Sequence, residues 1–115
     1  MTNRQFCLTL DLKDDAQLIE EYERYHQPGN VWPEVLKSIK SSGIEDMKIY
    51  RYETRLMMIM QVNDSFSFEA KALADEQNSK VLEWEALMEK FQHIGSEQQE
   101  QGKWQLMSLI FESKN

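Results

Sequence analysis

The sequence predicts an α+β fold in which strands and helices follow in the order β-α-β-β-α-β. Apolar side chains alternate along residues 6–12, as they do in a half-buried strand. Two further strand-like runs flank a short turn at residues 53–55, and segments with helical apolar spacing lie on either side of this pair. This order is the ferredoxin-like arrangement, which has an antiparallel sheet. With 115 residues, the chain (1–115) is expected to form a single domain with its own core.

The first crossover of this fold is predicted as two helices rather than one. An aspartate at position 14 or 15 caps a helix over residues 16–25. The turn sequence Gln27-Pro28-Gly29-Asn30 breaks that helix. A second helix opens at residues 31–34, where Pro33 is tolerated because a first-turn N–H has no helical partner. Gly43 is the expected end of this second helix.

The second half of the chain contains the remaining strands and the second crossover. Strands are predicted at residues 47–52 and 56–62, and the latter is apolar on both faces, which is typical of a covered central strand. Residues 63–65 are expected to cap a helix that begins near Phe66, breaks at positions 78–79 and continues over residues 80–91. A polar loop at residues 93–102 and a last strand at 103–111 complete the chain.

Charge and cysteine content narrow the classes of partner. Thirteen basic and twenty acidic side chains give a net charge of −7, which disfavours nucleic acid and anionic membrane surfaces. The single cysteine, Cys7, fits a reducing compartment. We find no signal peptide and no apolar run of the ~20 residues that a membrane span requires, so we expect a cytoplasmic protein. Phosphate-loop, serine-nucleophile and metal-ligand signatures are missing, so no cofactor and no metal are expected.

The sheet face opposite the helices is expected to be partly apolar. It should carry Cys7, Thr9, one side of the methionine-rich strand and part of the last strand. Such residues avoid water, and a second subunit stacked on this face would cover them. The sequence therefore predicts a homodimer.

His26 and Tyr22 are the leading candidates for chemistry. They are four residues apart at the end of the first predicted helix, so their side chains share a face. A histidine at a helix end also interacts favourably with the helix dipole, and from spacing alone this structural role outweighs catalysis. Trp84 and Trp32 have faces suited to sugar C–H groups, although core packing is the commoner role of a helical tryptophan. Glu85, considered alone, is a solvated charge.

Residues 21–26, Glu-Tyr-Glu-Arg-Tyr-His, precede a proline turn and then Val-Trp-Pro-Glu at 31–34. This motif resembles that of the L-rhamnose mutarotase family, whose pattern is Glu-Tyr-x-x-x-His followed by Asn-Pro-x-Trp-Pro-Glu. Residues 81–88, Val-Leu-Glu-Trp-Glu-Ala-Leu-Met, resemble the family's Val-x-x-Trp-Trp-x-x-Met. The likeness extends over most of the chain.

The resemblance implies a dimeric ferredoxin-like α/β barrel that interconverts the anomers of a deoxy-sugar without a cofactor. It places the proton donor on His26 and substrate contacts on Tyr22 and Trp84. The chain departs from the family at two substrate positions, where a second tryptophan is replaced by Glu85 and a tyrosine by Met47. Glu85 could accept hydrogen bonds from sugar hydroxyls. The resemblance therefore leaves L-fucose and other 6-deoxyhexoses as candidate substrates beside L-rhamnose.

Two other functions remain open at this point. Small dimeric α+β-barrel monooxygenases that act on haem or quinol-like compounds share the predicted architecture, and fold alone does not separate them from mutarotases. A non-catalytic sugar-binding module would bind a monosaccharide without changing the rate of anomer exchange.

Overall fold

A computed structural model describes residues 4–96 and 102–113 and has the predicted order of elements. The strands form one four-stranded antiparallel sheet with the order β2-β3-β1-β4, which confirms the ferredoxin-like arrangement. Each crossover consists of two helices. The elements are β1 (Arg4–Asp11), α1 (Ala16–Tyr25), α2 (Pro33–Ser41), β2 (Ile44–Tyr52), β3 (Arg55–Val62), α3 (Phe68–Glu76), α4 (Ser79–Glu89) and β4 (Gln105–Leu106).

Local sequence explains where the helices of the first crossover begin and end. The Asp15 carboxylate accepts hydrogen bonds from the backbone N–H groups of Gln17 and Leu18 and so caps α1. Pro33 is the first residue of α2. Gly43 ends that crossover with a φ of +100°, and a Cβ there would lie 2.6 Å from Oδ1 of Asn63. Glycine is therefore required at the end of this crossover, as predicted, because of the positive φ and because a Cβ would clash with Asn63.

The helices cover one face of the sheet, which we call the inner face. In the register of β1 and β3, Leu8 lies opposite Met58 and Leu10 opposite Leu56. Side chains of this face and of the helices form two apolar clusters. The first contains Leu12, Tyr22, Val35, Leu56, Trp84, Met88 and Phe91, and the second contains Leu8, Ile44, Met60, Val62 and Phe66.

The other side of the sheet, which we call the outer face, is not covered by any of the helices in residues 4–96 and 102–113. Cys7 and Thr9 of β1 and Met57 and Ile59 of β3 lie on this face and are half-buried. The expectation that β3 is central is confirmed, since it lies between β2 and β1. Within one chain, however, only the inner face of this strand is covered.

The helix expected to begin near Phe66 begins instead at Phe68. Oδ1 of Asn63 accepts hydrogen bonds from the backbone N–H and the hydroxyl of Ser65, so it closes a turn and caps no helix. The cap is Ser67, whose hydroxyl oxygen accepts from the N–H of Ala70. The extra turn lets Phe66 enter the core, where its side chain is 3% exposed.

The prediction of a last strand at residues 103–111 is wrong in length. Strand pairing covers only Gln105–Leu106, followed by one further hydrogen bond from the N–H of Met107 to the carbonyl of Cys7. Beyond it, Leu109, Ile110 and Phe111 are 78%, 93% and 76% exposed. These apolar side chains have strand propensity, but within one chain no layer covers them to offset the entropy of ordering. Of the predicted loop 93–102, residues 97–101 lie outside the described residues.

The described helices are also too short to cross a bilayer. In residues 4–96 and 102–113, no helix combines the length and apolar character of a membrane span.

Candidate active site

A cavity of about 970 Å³ lies between the inner face of the sheet and the helices. Five of the six candidate residues named from the sequence line it and come from three different elements, whereas Trp32 is not among its lining residues and packs against the first apolar cluster. α1 contributes Tyr22 and the residue after its end, His26, while β2 contributes Met47 and α4 contributes Trp84 and Glu85. The fold thus brings the predicted set together at one space of a size suited to a small ligand.

His26 is fixed at the C-terminal end of α1. Its Nδ1 lies 2.7 Å from the carbonyl oxygen of Tyr22. A carbonyl only accepts, so Nδ1 donates and carries the proton. The neutral ring therefore has its lone pair on Nε2. The ring centre of His26 also lies 4.4 Å from that of Tyr22, so packing and a hydrogen bond together hold the imidazole in one orientation.

The surroundings of His26 favour its neutral form. Burial lowers the pKa of this imidazole below its ordinary value of 6.5, and the hydrogen bond to the Tyr22 carbonyl opposes the effect without cancelling it. At neutral pH the ring is therefore a base with an available lone pair on Nε2.

Tyr22 is held protonated in the same cavity. Its side chain is 4% exposed, and burial raises the pKa of its phenol to about 12. A hydrogen bond with the side chain of Gln92 lowers this pKa, and the nearby carboxylate of Glu85 raises it. The phenol is thus a hydrogen-bond donor throughout the neutral range.

Trp84 is both a core residue and part of the cavity wall. It is 5% exposed and belongs to the first apolar cluster. Its ring packs edge-on against His26 at 5.6 Å and against Trp32 at 5.2 Å between ring centres. Core packing and cavity lining are therefore compatible here, and Trp84 restricts the position of the imidazole.

Glu85 is not the solvated charge that its position next to Trp84 suggests on its own. Its Oε1 lies 2.7 Å from Nζ of Lys103, which also donates to the Glu85 backbone carbonyl at 3.1 Å. The Lys103 side chain is only 17% exposed, against 44% for that of Glu85. The carboxylate is thereby held at the edge of the cavity by a partly buried ammonium group.

Met47 lies on the inner face of β2 and is half-buried. It packs against the second apolar cluster, which contains Met60, whereas Tyr22 and Trp84 belong to the first cluster. Met47 consequently contributes a flexible apolar surface to a different part of the cavity wall from His26.

Comparison with known proteins identifies the group to which these features belong. A family model described as L-rhamnose mutarotase matches residues 5–113. The chain belongs to the L-rhamnose mutarotase family. It is accordingly a mutarotase, an isomerase that acts on carbohydrates, and this membership favours that function over the monooxygenase and non-catalytic interpretations.

Two relatives and one solved structure are similar to nearly the whole chain. An L-fucose mutarotase of Xanthomonas campestris is 40% identical over 96% of the chain and 89% of its own length. A UPF0734 protein of Dictyostelium discoideum is 35% identical over 95% of the chain and 89% of its own length. The solved L-rhamnose mutarotase of Formosa agariphila shares the fold with a TM-score of 0.70 at 14% identity, covering 96% of this chain and 99% of that one.

Sequence reasoning missed three residues of the cavity region. Gln92 and Trp104 line the cavity, and Lys103 holds the carboxylate of Glu85. For Gln92 a signal was present, because it continues the spacing of Val81, Trp84 and Met88 and so is a polar residue on an apolar stripe. Lys103 and Trp104 open the segment that was predicted as the last strand, but they precede β4, and strand periodicity gives no indication that they lie at the cavity.

Proposed function

We propose that the protein interconverts the α and β anomers of a 6-deoxyhexose in this cavity, with His26 as the catalytic residue. The observation that supports this assignment best is the hydrogen bond between Nδ1 of His26 and the Tyr22 carbonyl. It leaves Nε2 as the atom that exchanges a proton, in a cavity that the protonated phenol of Tyr22 also lines.

The reaction begins with His26 as a base. Neutral Nε2 takes the proton of the anomeric hydroxyl, the bond between C1 and the ring oxygen breaks, and its electron pair goes to the ring oxygen. The imidazolium then gives the proton to that oxygen, so His26 is the proton donor that the family resemblance implies. Rotation about C1–C2 turns the aldehyde, and the reverse steps close the ring as the other anomer. General acid–base catalysis of this kind accelerates a reaction by roughly 10²–10⁴-fold.

Tyr22 and the neighbouring wall residues orient the sugar. The Tyr22 hydroxyl donates a hydrogen bond to a sugar oxygen, and Trp84 packs against the apolar C–H groups of the ring. The Glu85 carboxylate, held by Lys103, accepts sugar hydroxyls at a position where the family has a tryptophan. Met47 replaces a family tyrosine and offers the sugar an apolar contact instead of a hydroxyl.

L-fucose is the sugar that we favour over L-rhamnose. The two sugars differ in the orientation of ring hydroxyls, and Glu85 and Met47 change the hydrogen-bonding groups that meet those hydroxyls. The relative that is 40% identical is an L-fucose mutarotase, whereas the solved L-rhamnose mutarotase is 14% identical. The departures from the family pattern and the identity of this relative support the same choice.

The functional unit that we infer is a cytoplasmic homodimer whose two sheets stack into an α/β barrel. Cys7, Met57 and Ile59 are half-buried on the outer face, which none of the described helices covers. A second copy of the chain would bury these side chains and offers cover for the exposed apolar segment at residues 109–111.

Anomer exchange measured by NMR saturation transfer tests this function directly. We expect the wild-type protein to accelerate exchange of both L-fucose and L-rhamnose, with a higher kcat/KM for L-fucose. Faster exchange of L-rhamnose would overturn the choice of sugar only. Failure to accelerate either sugar would overturn the assignment of a 6-deoxyhexose.

A further inference from the structure

Gln92 is the one buried polar residue in the part of the chain that the structure describes, and its side chain is 3% exposed. It lines the same cavity as Tyr22, His26 and Glu85. Its amide oxygen, Oε1, has no hydrogen-bond partner among the described residues. Burying an amide oxygen in this way destabilises a protein unless a partner is supplied, so the position calls for an explanation.

The backbone around Gln92 is held firmly in place. Leu12 forms a β-bridge with Gln92 just beyond the end of β1. On either side of it, the N–H of Lys13 donates to the carbonyl of Phe91 at 2.9 Å and the N–H of His93 donates to the carbonyl of Asp11 at 2.8 Å. The amide is therefore presented to the cavity by a fixed segment and does not reach it through a mobile loop.

The Gln92 side chain shares the cavity wall with the Tyr22 phenol. A side-chain hydrogen bond with Gln92 opposes part of the rise in the pKa of that phenol that burial causes. The amide oxygen of Gln92 is still without a partner among the described residues, so it is available to accept a hydrogen bond from a ligand in the cavity.

Resting on the proposed function, we propose that Gln92 is a further substrate-binding residue, whose amide oxygen accepts a hydrogen bond from a sugar hydroxyl. The site then presents one donor, Tyr22, and one acceptor, Gln92, side by side. A polyhydroxylated ligand satisfies both groups, since each hydroxyl can donate and accept. An apolar ligand would leave the buried amide oxygen unpaired.

The substitution Gln92→Met tests this inference because methionine has nearly the same length and shape but no polar atoms. If Gln92 binds the sugar, the variant should raise KM for L-fucose roughly tenfold, as expected for the loss of one hydrogen bond. It also predicts an unchanged or higher Tm, because an unsatisfied buried oxygen is removed. If Gln92 has only a structural role, the variant should have a lower Tm and an unchanged KM. That result would overturn the inference.

Two further variants separate direct contact from general effects. Gln77→Met makes the same chemical change at the exposed end of α3, away from the cavity, and should alter neither KM nor kcat. Introducing Gln92→Met into a Tyr22→Phe background should still raise KM, because the amide oxygen contacts the sugar independently of the phenol. If KM does not rise further in that background, direct contact is ruled out.

The outcome for wild-type protein distinguishes this inference from the proposed function. If the wild type accelerates anomer exchange while Gln92→Met has the KM of the wild type, only the role of Gln92 fails. If the wild type neither accelerates exchange nor binds L-fucose or L-rhamnose in a calorimetric titration, both fail.

Discussion

The inner and outer faces of the sheet are built from the same strands but differ in which groups they leave without a partner. Polar groups are buried on the inner side, and apolar groups are partly exposed on the outer face. On the helix-covered side, polar groups such as His26, Tyr22 and Gln92 line a cavity next to the apolar clusters. On the outer face, apolar groups such as Met57 and Ile59 are only half-buried, with no layer above them.

Both arrangements carry a cost that binding can offset. Buried polar atoms without partners are unfavourable until a ligand supplies the missing hydrogen bonds. Exposed apolar surface is unfavourable until another surface covers it. A small hydroxylated molecule would supply the missing hydrogen bonds on the inner side. A second copy of the chain would cover the apolar surface of the outer face. Changes on the two faces should therefore affect different measurements.

The largest effect is expected from His26→Ala on the inner face. Removing the base should lower the rate of anomer exchange by about 10²–10⁴-fold, since general acid–base catalysis is lost. Circular dichroism should show an intact fold, because the side chain is half-buried and, among the described residues, its hydrogen bond is with the Tyr22 backbone alone. His93→Ala is the matched control, and it should leave the rate unchanged because His93 is exposed. Equal exchange by wild type and His26→Ala would remove the catalytic role.

A smaller effect, on a different quantity, is expected from Ile59→Asp on the outer face. Two-fold symmetry would place one carboxylate from each subunit in the interface. Because burial of an unpaired charge costs several kcal/mol, the dimer Kd should rise by about a hundredfold or more. Light scattering after size-exclusion chromatography should show the mass of one chain instead of two.

Leu73→Asp serves as the control for that change, since Leu73 is 56% exposed on α3 and does not belong to the outer face. It should leave the mass unchanged. A wild-type protein with the mass of a single chain would contradict the homodimer itself, and a dimeric Ile59→Asp variant would place the interface elsewhere.

The smallest effect concerns pH. The pKa of His26 is lowered in the folded protein, so the neutral, active form predominates at and above pH 6.5 and is lost as the pH falls through the folded pKa. Below that pKa, kcat/KM should fall by about tenfold per pH unit. Between pH 6.5 and the folded pKa, the unfolded chain binds the proton more readily than the folded protein does, so the free energy of unfolding should fall as the pH falls through this interval.

No decline due to Tyr22 is expected on the basic side until the pH approaches about 12, its pKa. A pH–rate profile of the wild type checks both limbs, with thermal unfolding across the same range for stability. An acid limb that begins above pH 6.5 would contradict the assignment of His26 as the base.

Predictions of helix boundaries were confirmed where the residues that set the boundary lie within a few positions of it. The helices of the first crossover are set by the Asp15 cap, Pro33 and Gly43, each of which acts within a few residues. Tyr22 and His26 share a helix face by spacing alone, whereas their role at a site was predicted only through the family resemblance, and both line the cavity. The shift of α3 to Phe68 shows the limit, because Asn63 and Ser67 compete as caps and core burial of Phe66 decides between them.

The sequence by itself therefore determined the order of strands and helices, the family resemblance and the shared helix face of Tyr22 and His26, because these follow from periodicity, helix caps and short motifs. Tertiary structure alone decided that Lys103 pairs with Glu85, that Gln92 meets Tyr22, and that the last strand is confined to Gln105–Leu106. Each of these depends on contacts between segments far apart in the chain. Such contacts are governed by which surfaces remain to be covered once the helices have packed on the sheet, and no local pattern encodes that.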